Sequence, residues 1–373
     1  MEKNKIRVLL VSPYNAIKVG GIGTWSKSVL DFFEGSDEYE IIFQNTANLI
    51  KGNIKNSRIR RVILGVEDTV EIIVKLFFHL LLKRPDVVHY TSSASLALMK
   101  DRVAIFIVKV IFKKRFVIHW HFGRIPEICI SKGKEYKQLI HVAKYADINI
   151  VLDEKSQQSL QREAHANVCY IPNPMTSAVY DATKDIDIAS SNKKRNNGEV
   201  LFVGHIIENK GVFELVKCCV DCKDVKKLVL IGPVLPSIKE KILSLAKKRT
   251  DGTWLEFKGE LQREDVYSYY RKCTLFCLPS YTEGFPYVIL EAMAFGCPIL
   301  ATDVGAIAEM LNNESGLVVA PRDIQQLSVA LNKMLSDKEL RDKIATNAFN
   351  RVMTAYTREI ICKQYSKIWS NMR

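Results

Sequence analysis

The sequence predicts an α/β protein of two doubly wound domains, and three observations predict it. Short apolar, β-branched runs alternate with longer helical patterns along most of the chain, the sign of parallel sheets covered by helices. A polar, turn-rich stretch, "NPMTSAVYDATKDIDIASSNKKRNNG" (173–198), interrupts that alternation near the middle. The 373 residues are enough for two domains at roughly 100–200 residues each. The expected boundaries are 1–175 for the first domain, 176–198 for a linker and 199–355 for the second domain.

The first domain opens with a strand over 6–12, a long loop and a helix beginning near Thr24. Strand-like runs recur at 40–45, 87–90, 116–119 and 148–152. The longest apolar run, "VEIIVKLFFHLLLKRPDVVHY", is broken by Lys75, His79 and Lys83. It falls short of the ~20 uninterrupted apolar residues of a membrane span. It reads as a helix over 70–82 that stops before Pro85, followed by a short buried strand. "VAIFIVKVIFKKRFVIHWH" repeats that layout. The second domain alternates strands at 200–203, 227–231, 254–257, 274–278 and 299–302 with helices at 212–219, 238–247, 265–271 and 286–294, then ends in helices from Asp337 onward.

Composition excludes several classes. An apolar share of 47% and a charged share of 25% are ordinary globular values, unlike those of disordered or collagen-like chains. The net charge of +13 is uneven, +9 over residues 1–180 and +4 over 181–373, so the basic first half should meet something anionic. Nine cysteines without a framework spacing, and charged residues directly after Met1, imply a cytoplasmic protein with reduced thiols.

In doubly wound, Rossmann-like sheets ligands bind outside the carboxyl ends of the strands, and two such domains facing each other make a cleft. Four loops at strand ends carry unusual chemistry. In "SPYNAIKVGGIGTWSKSVL", Gly20, Gly21 and Gly23 precede a helix that Thr24 would cap, letting backbone N–H groups approach an anion; a flexible surface loop is the alternative. In "FVIHWHFGR", His119 and His121 point the same way from a strand. No nearby Cys, Asp or Glu completes a metal set, so His121 either hydrogen-bonds a substrate or is satisfied in the core. In "LFVGHIIENKGVFELV", Lys210 before Gly211 suits an ammonium reaching a phosphate, against the alternative of a solvated lysine.

The fourth loop is "PSYTEGFPYVILEAMAFG". Gly284 permits a sharp turn, Pro286 suits the first helical position, and Gly296 suits the helix end. The free N–H groups of Phe285, Tyr287 and Val288 can hold a pyrophosphate. Glu283 can accept from sugar hydroxyls. Glu291, embedded in "VILEAMAF", can take both hydroxyls of a ribose, and an unpartnered acid there would be costly. The alternative is an acid favoured by the helix dipole plus one exposed Glu.

The chain resembles the retaining GT-B glycosyltransferases of group 1, family 4. The residues that carry the resemblance are the E-x7-E block "EGFPYVILE" with "AMAFGCPILATDVG" behind it, the "FVGHIIENKG" loop, "GGIGTWSKSVL", "RPDVVHY" and "IPNP", together spanning nearly the whole chain. The resemblance implies two Rossmann-like domains facing across a cleft, with a last helix (356–373) crossing back to the first. It assigns donor-sugar contact to Glu283, ribose contact to Glu291, phosphate contact to Lys210 and pyrophosphate closure to Gly21. His205 stands where the family usually has Arg, replacing a fixed charge with a titratable one. "GAIAE" replaces the usual Gly-Gly before the last family acid, with Gly305 and Glu309 retained.

The implied reaction is transfer of a hexose-type unit from a UDP- or GDP-sugar to a hydroxyl, with retention, without a metal or any further cofactor. The expected acceptor is a lipid-linked saccharide of cell-surface polysaccharide synthesis. Arg124 and the basic stretch Lys109, Lys113, Lys114 and Arg115 would face it, at the inner leaflet of an anionic membrane; a solvated helix face is the alternative. Two alternatives stay open: a sugar-nucleotide-binding subunit that turns nothing over, which His205 keeps alive, and a GT-B sugar-nucleotide epimerase. A nucleic-acid partner rests on net charge alone and is not expected. "CCVDC" (218–222) has no second pair and reads as packed thiols.

Overall fold

The structure, a computed structural model, describes residues 5–15, 20–47, 58–93, 97–250 and 253–372, the side chains of 58–65 excepted. Part of the first glycine loop, 16–19, lies outside the described residues. The chain divides into two compact units, Met1–Pro174 with Arg358–Arg373, and Met175–Thr357.

In the first unit a six-stranded sheet runs in the order β2-β1-β3-β4-β5-β6. Its strands are β1 (Ile6–Ser12), β2 (Tyr39–Asn45), β3 (Val87–Ser92), β4 (Arg115–Trp120), β5 (Ile148–Val151) and β6 (Val168–Tyr170), all parallel. The second sheet runs β12-β11-β10-β7-β8-β9, from β7 (Glu199–Val203), β8 (Lys227–Ile231), β9 (Leu255–Gly259), β10 (Leu275–Leu278), β11 (Ile299–Thr302) and β12 (Leu317–Val319). Parallel strands need covering on both faces, which explains their near-continuous apolar runs. Alternation along β1 sends Leu9 and Val11 into one core, with Tyr90, Ile118 and Trp120. Val8 and Leu10 go into the opposite core, with Trp25, Tyr365 and Trp369.

Strand order reverses between β1 and β3 in the first unit and between β7 and β10 in the second, the topological switch points where such sheets open a crevice at their carboxyl ends. The loops after β7 and β10 therefore start side by side.

The structure differs from the sequence expectations in several places. The helix expected over 70–82 starts at Arg58 and runs to Lys83. Helices Ile125–Ser131, Lys134–Tyr145 and Glu154–Ala164, with β6 and β12, fill stretches where the apolar pattern is weak. Residues 176–198 are no linker. Thr176 caps helix Ser177–Thr183 and Asp187 caps helix Ile188–Lys193. Ile188 is buried, and the Arg195 guanidinium donates to the carbonyls of Tyr270, Cys273, Phe295 and Gly296, which fastens the stretch to the second unit. Polar composition hid a segment anchored by one apolar residue and one cation. The last helix, Arg358–Asn371, returns to the first unit.

Candidate functional site

Backbone close approach builds the second unit's site. β7 ends at Gly204, and a Cβ on Gly232, beyond β8, would lie 2.0 Å from the Gly204 carbonyl oxygen. The chain turns through Glu208–Lys210 into Gly211, whose φ is +66° and where a Cβ would lie 1.9 Å from the Pro279 carbonyl oxygen. Only glycine lets the two switch-point loops touch there. Tyr281 N–H donates to the Asn209 carbonyl at 2.9 Å across the same seam.

That contact brings Lys210 onto Glu283. The ammonium stands 2.6 Å from Oε1 of the carboxylate, and the Ser280 hydroxyl donates to the same oxygen at 2.7 Å. Thr302 at the end of β11 donates to the Ser280 carbonyl. From the other side Gly305, with φ +54°, leaves room for the Glu283 and Gly284 carbonyls, and Ala306 N–H donates to Gly284 O at 2.9 Å. Glu283 is thus clamped between two loops, its charge matched by one cation.

The helix after this loop runs Tyr287–Ala294, with Pro286 as its N-cap rather than its first helical residue, so no side chain caps it. Phe285 is buried against Tyr356. Glu291 is buried, and its oxygens face Tyr270, whose hydroxyl donates at 3.2 Å, and Arg263, whose Nε lies 3.7 Å away. Burial raises the Glu291 carboxyl above its ordinary range, opposed by the Arg263 charge and the Tyr270 hydrogen bond. Tyr270 and Arg263 escaped the sequence reading because they lie 21 and 28 positions upstream, on another helix, with no spacing to betray them. Tyr270→Phe is expected to lower stability by about 1 kcal/mol, the worth of one hydrogen bond. Thermal or denaturant melting would read the effect, and an unchanged midpoint would mean that the Tyr270 hydroxyl does not support Glu291.

His205, just past β7, is exposed, and its carbonyl closes the turn to Ile207.

Gly20, Gly21 and His121 belong to the first unit. Gly20, not Thr24, is the N-cap of helix Gly21–Phe33, and Thr24 N–H donates to Gly20 O at 2.9 Å from inside the first turn. The glycines thus open the helix rather than precede it. A Cβ at Gly20 would meet nothing within 4 Å.

His121 follows β4, and its ring lies 4.0 Å from that of His119 and 4.8 Å from Trp25, centroid to centroid. Behind it runs a buried relay. Trp369 Nε1 donates to His89 Nδ1 at 3.2 Å, so His89 carries its proton on Nε2 and gives it to His119 Nδ1 at 3.3 Å. His119 therefore holds a hydrogen on Nε2, and that atom, like His121 Nε2, is buried with no hydrogen-bond partner among the described residues. Burial lowers His89 and His121 to about 3 and His119 well below its ordinary value, so all three rings are neutral near pH 7. His121 can exchange a hydrogen bond with a ligand but cannot offer it a charge.

Arg124 pairs with Glu135, and Lys109 and Arg115 with Asp147. Cys218, Cys219 and Cys222 are buried free thiols, and among the described residues no group of three or more His, Cys, Asp or Glu is placed to hold a metal.

The family model for glycosyl transferases group 1 matches residues 183–351. The Staphylococcus aureus capsular polysaccharide biosynthesis glycosyltransferase CapM is 28% identical over 181 residues, 47% of this chain and 46% of that protein. The Campylobacter jejuni N,N'-diacetylbacillosaminyl-diphospho-undecaprenol alpha-1,3-N-acetylgalactosaminyltransferase is 29% identical over 174 residues, 46% of this chain and 44% of that protein. The matches thus span less than half the length of each relative. Among solved structures, sucrose-phosphate synthase from Thermosynechococcus elongatus superposes with a TM-score of 0.76 at 18% identity, covering 99% of both chains. Anabaena HepE in complex with UDP and glucose superposes at 0.70 and 16%, covering 98% of this chain and all of that one. The chain has the GT-B fold, and its second unit, which holds the Lys210–Glu283 pair and Glu291, is a glycosyl transferases group 1 domain.

Proposed function

We propose that this chain is a retaining glycosyltransferase that moves a hexose-type sugar from a UDP- or GDP-sugar to a hydroxyl of a lipid-linked saccharide, in the synthesis of a cell-surface polysaccharide. The observation that carries the reading is the juxtaposition at the β7/β10 switch point: a paired Lys210 and Glu283, followed by a helix without a side-chain cap that holds a buried, partnered Glu291. Relatives support the partner classes. HepE is seen with UDP and glucose, and the Campylobacter relative is named for a diphospho-undecaprenol substrate.

In this reading Glu291 accepts from both ribose hydroxyls, with Tyr270 and Arg263 fixing its carboxylate. The N–H groups of Phe285, Tyr287 and Val288, with Lys210, meet the diphosphate, and Gly20 and Gly21 are further candidates for diphosphate contact. Glu283 holds a sugar hydroxyl. The bond from the anomeric carbon to the diphosphate oxygen breaks as the acceptor oxygen bonds that carbon on the same face, the acceptor hydroxyl's proton passing to the departing diphosphate. Negative charge gathers on the leaving diphosphate, where a fixed ammonium and helix N–H groups stabilise it without reorganising. No carboxylate nucleophile and no metal enter this scheme, and His121 contributes a neutral hydrogen bond to donor sugar or acceptor.

The test is nucleoside diphosphate release from a panel of UDP-, GDP- and ADP-sugars, without acceptor, for the wild-type protein and Glu291→Gln. Slow release from one donor, reduced about 100-fold in the variant, is expected from the loss of charged hydrogen bonds worth about 1.5–3 kcal/mol each. No release from any donor, with no thermal shift by UDP or GDP, would sink the reading. Binding without release would leave a sugar-nucleotide-binding subunit.

A further inference from the structure

Two neighbouring helices of the first unit leave an apolar face that the donor chemistry does not use. Helix Arg58–Lys83 seats Leu76 and Leu80 in the core. It turns Val70, Val74, Phe77, Phe78, Leu81 and Leu82 outward, a stripe at helical spacing with Phe78 53% and Leu82 71% exposed. Helix Ala97–Phe106, continued by a π-turn at Ile107–Ile111, buries Leu98, Ala104 and Val108 and exposes Met99, Val103, Phe106 and Val110. Phe77 of the first helix packs edge-on against Phe112 just beyond the second, 5.1 Å between centroids, so the two stripes are continuous. Contiguous apolar surface on this scale marks an interaction site on a soluble domain.

Charge identifies the partner. The two helices lead into β3 and β4, which lie side by side in the sheet, so the cations at their carboxyl ends, Lys83 and Arg84 with Lys113 and Lys114, follow one rim. Across 97–115 the one acid is Asp101, which is buried and bonded to Ser92. The acids of the first helix, Glu67, Asp68 and Glu71, lie more than two turns before its cationic end, and Glu71 pairs with Lys75. Apolar side chains bordered by such a cationic rim suit the boundary between acyl chains and anionic headgroups. Among the described residues no helix is long and apolar enough to cross a membrane, so contact of this kind would be peripheral.

We propose that this two-helix face lies on an anionic bilayer surface, with Phe78, Leu81, Leu82 and Phe106 entering the acyl boundary and Lys113 and Lys114 at the phosphates. The proposal is carried by helix surface alone, and within the reading above it is the place where a lipid-linked acceptor is met.

Flotation of the full chain with phosphatidylcholine vesicles and with mixed phosphatidylcholine/phosphatidylglycerol vesicles, at low and high salt, tests it. The wild-type protein is expected to float with the mixed vesicles, at least ~10-fold better than with the neutral ones at low salt. The triple variant Phe78→Ser/Leu82→Ser/Phe106→Ser should lose at least ~10-fold of the bound fraction at either salt. Lys113→Glu/Lys114→Glu should lose the preference for anionic lipid. All three altered apolar positions are exposed, so melting and nucleoside diphosphate release stay at wild-type level, which separates failure of this proposal from failure of the transferase reading. Equal recovery with both vesicle types, or flotation unaffected by the triple change, overturns the proposal. A wild-type dimer in sedimentation equilibrium that the triple change dissociates would show instead that a second copy covers the face.

Discussion

Lys210→Ala is expected to lower kcat/KM for the nucleotide-sugar by about a thousand-fold, the upper range for removing one preorganised stabiliser of developing charge. Two effects combine. On the proposed reading the variant loses the ammonium that would meet the leaving diphosphate, and it leaves the Glu283 carboxylate, which is 10% exposed, with the Ser280 hydroxyl but without its cation. A diphosphate entering beside that uncompensated charge is repelled. Most of the loss should appear in kcat, because the diphosphate carries more negative charge as the glycosidic bond breaks than it does in the bound donor. A rise in KM with kcat intact would make Lys210 a binding contact only. Lys210→Ala/Glu283→Gln should fall well short of the product of the single losses, since paired groups are not additive. Stability should change by only about 1 kcal/mol, because the pair is partly solvated.

Acid is expected to unfold the first unit ahead of the second. An unfolded histidine titrates near 6.5, whereas burial holds His89 and His121 at about 3 and lowers His119 well below its ordinary value. Above pH 6.5 neither state binds these protons. Below it the unfolded chain takes protons that the folded one refuses, so stability falls with falling pH throughout the window from 6.5 to about 3. The two fully buried rings, His89 and His119, contribute a slope of about 3 kcal/mol per pH unit once the unfolded rings are charged, at 1.36 kcal/mol per unit each, and His121 steepens it. Asp101 acts in the opposite sense. Burial lifts its carboxyl to about 6, so the folded state takes that proton first and regains part of the loss between pH 6 and 4. In the second unit the raised Glu291 carboxyl likewise favours the folded state in acid.

Trp25, Trp120 and Trp369 lie in the first unit and Trp254 in the second, so indole emission reports chiefly on the first. Its melting midpoint should drop steeply between pH 7 and 5, and His119→Leu should flatten that dependence by about a third of the imidazole share. A midpoint indifferent to pH across this range would mean that the three rings are solvated.

The parts of the fold legible in the sequence are those where one short run decides the local structure. β1, β8 and β11 fall at the residues their apolar runs indicate, since a strand buried on both faces admits little else. The bend at Gly284 was legible, and Glu291 was legible as a partnered acid because its neighbours on both sides are core residues. What stayed hidden depends on distant chain. Tyr270 and Arg263 meet Glu291 only through the packing of helix Arg263–Lys272 on helix Tyr287–Ala294. His119 and His121 read as a pair on one strand, but the third ring, His89, sits 30 positions away on the neighbouring strand, and the indole that fixes its tautomer comes from the far end of the chain. The caps Thr176 and Asp187 were visible signals of helix starts, and the polar composition around them outweighed the hint.

The return of helix Arg358–Asn371 to the first sheet has a consequence for biosynthesis. Ile361, Tyr365 and Trp369 fill one of that unit's two cores, yet the ribosome makes them after every residue of the second unit. The second unit is continuous in sequence and can close while the chain is still being made. The first must wait, with β1, Trp25 and the histidine relay lacking their cover, until the last helix emerges. Translation order thus inverts assembly order: the unit begun first is completed last.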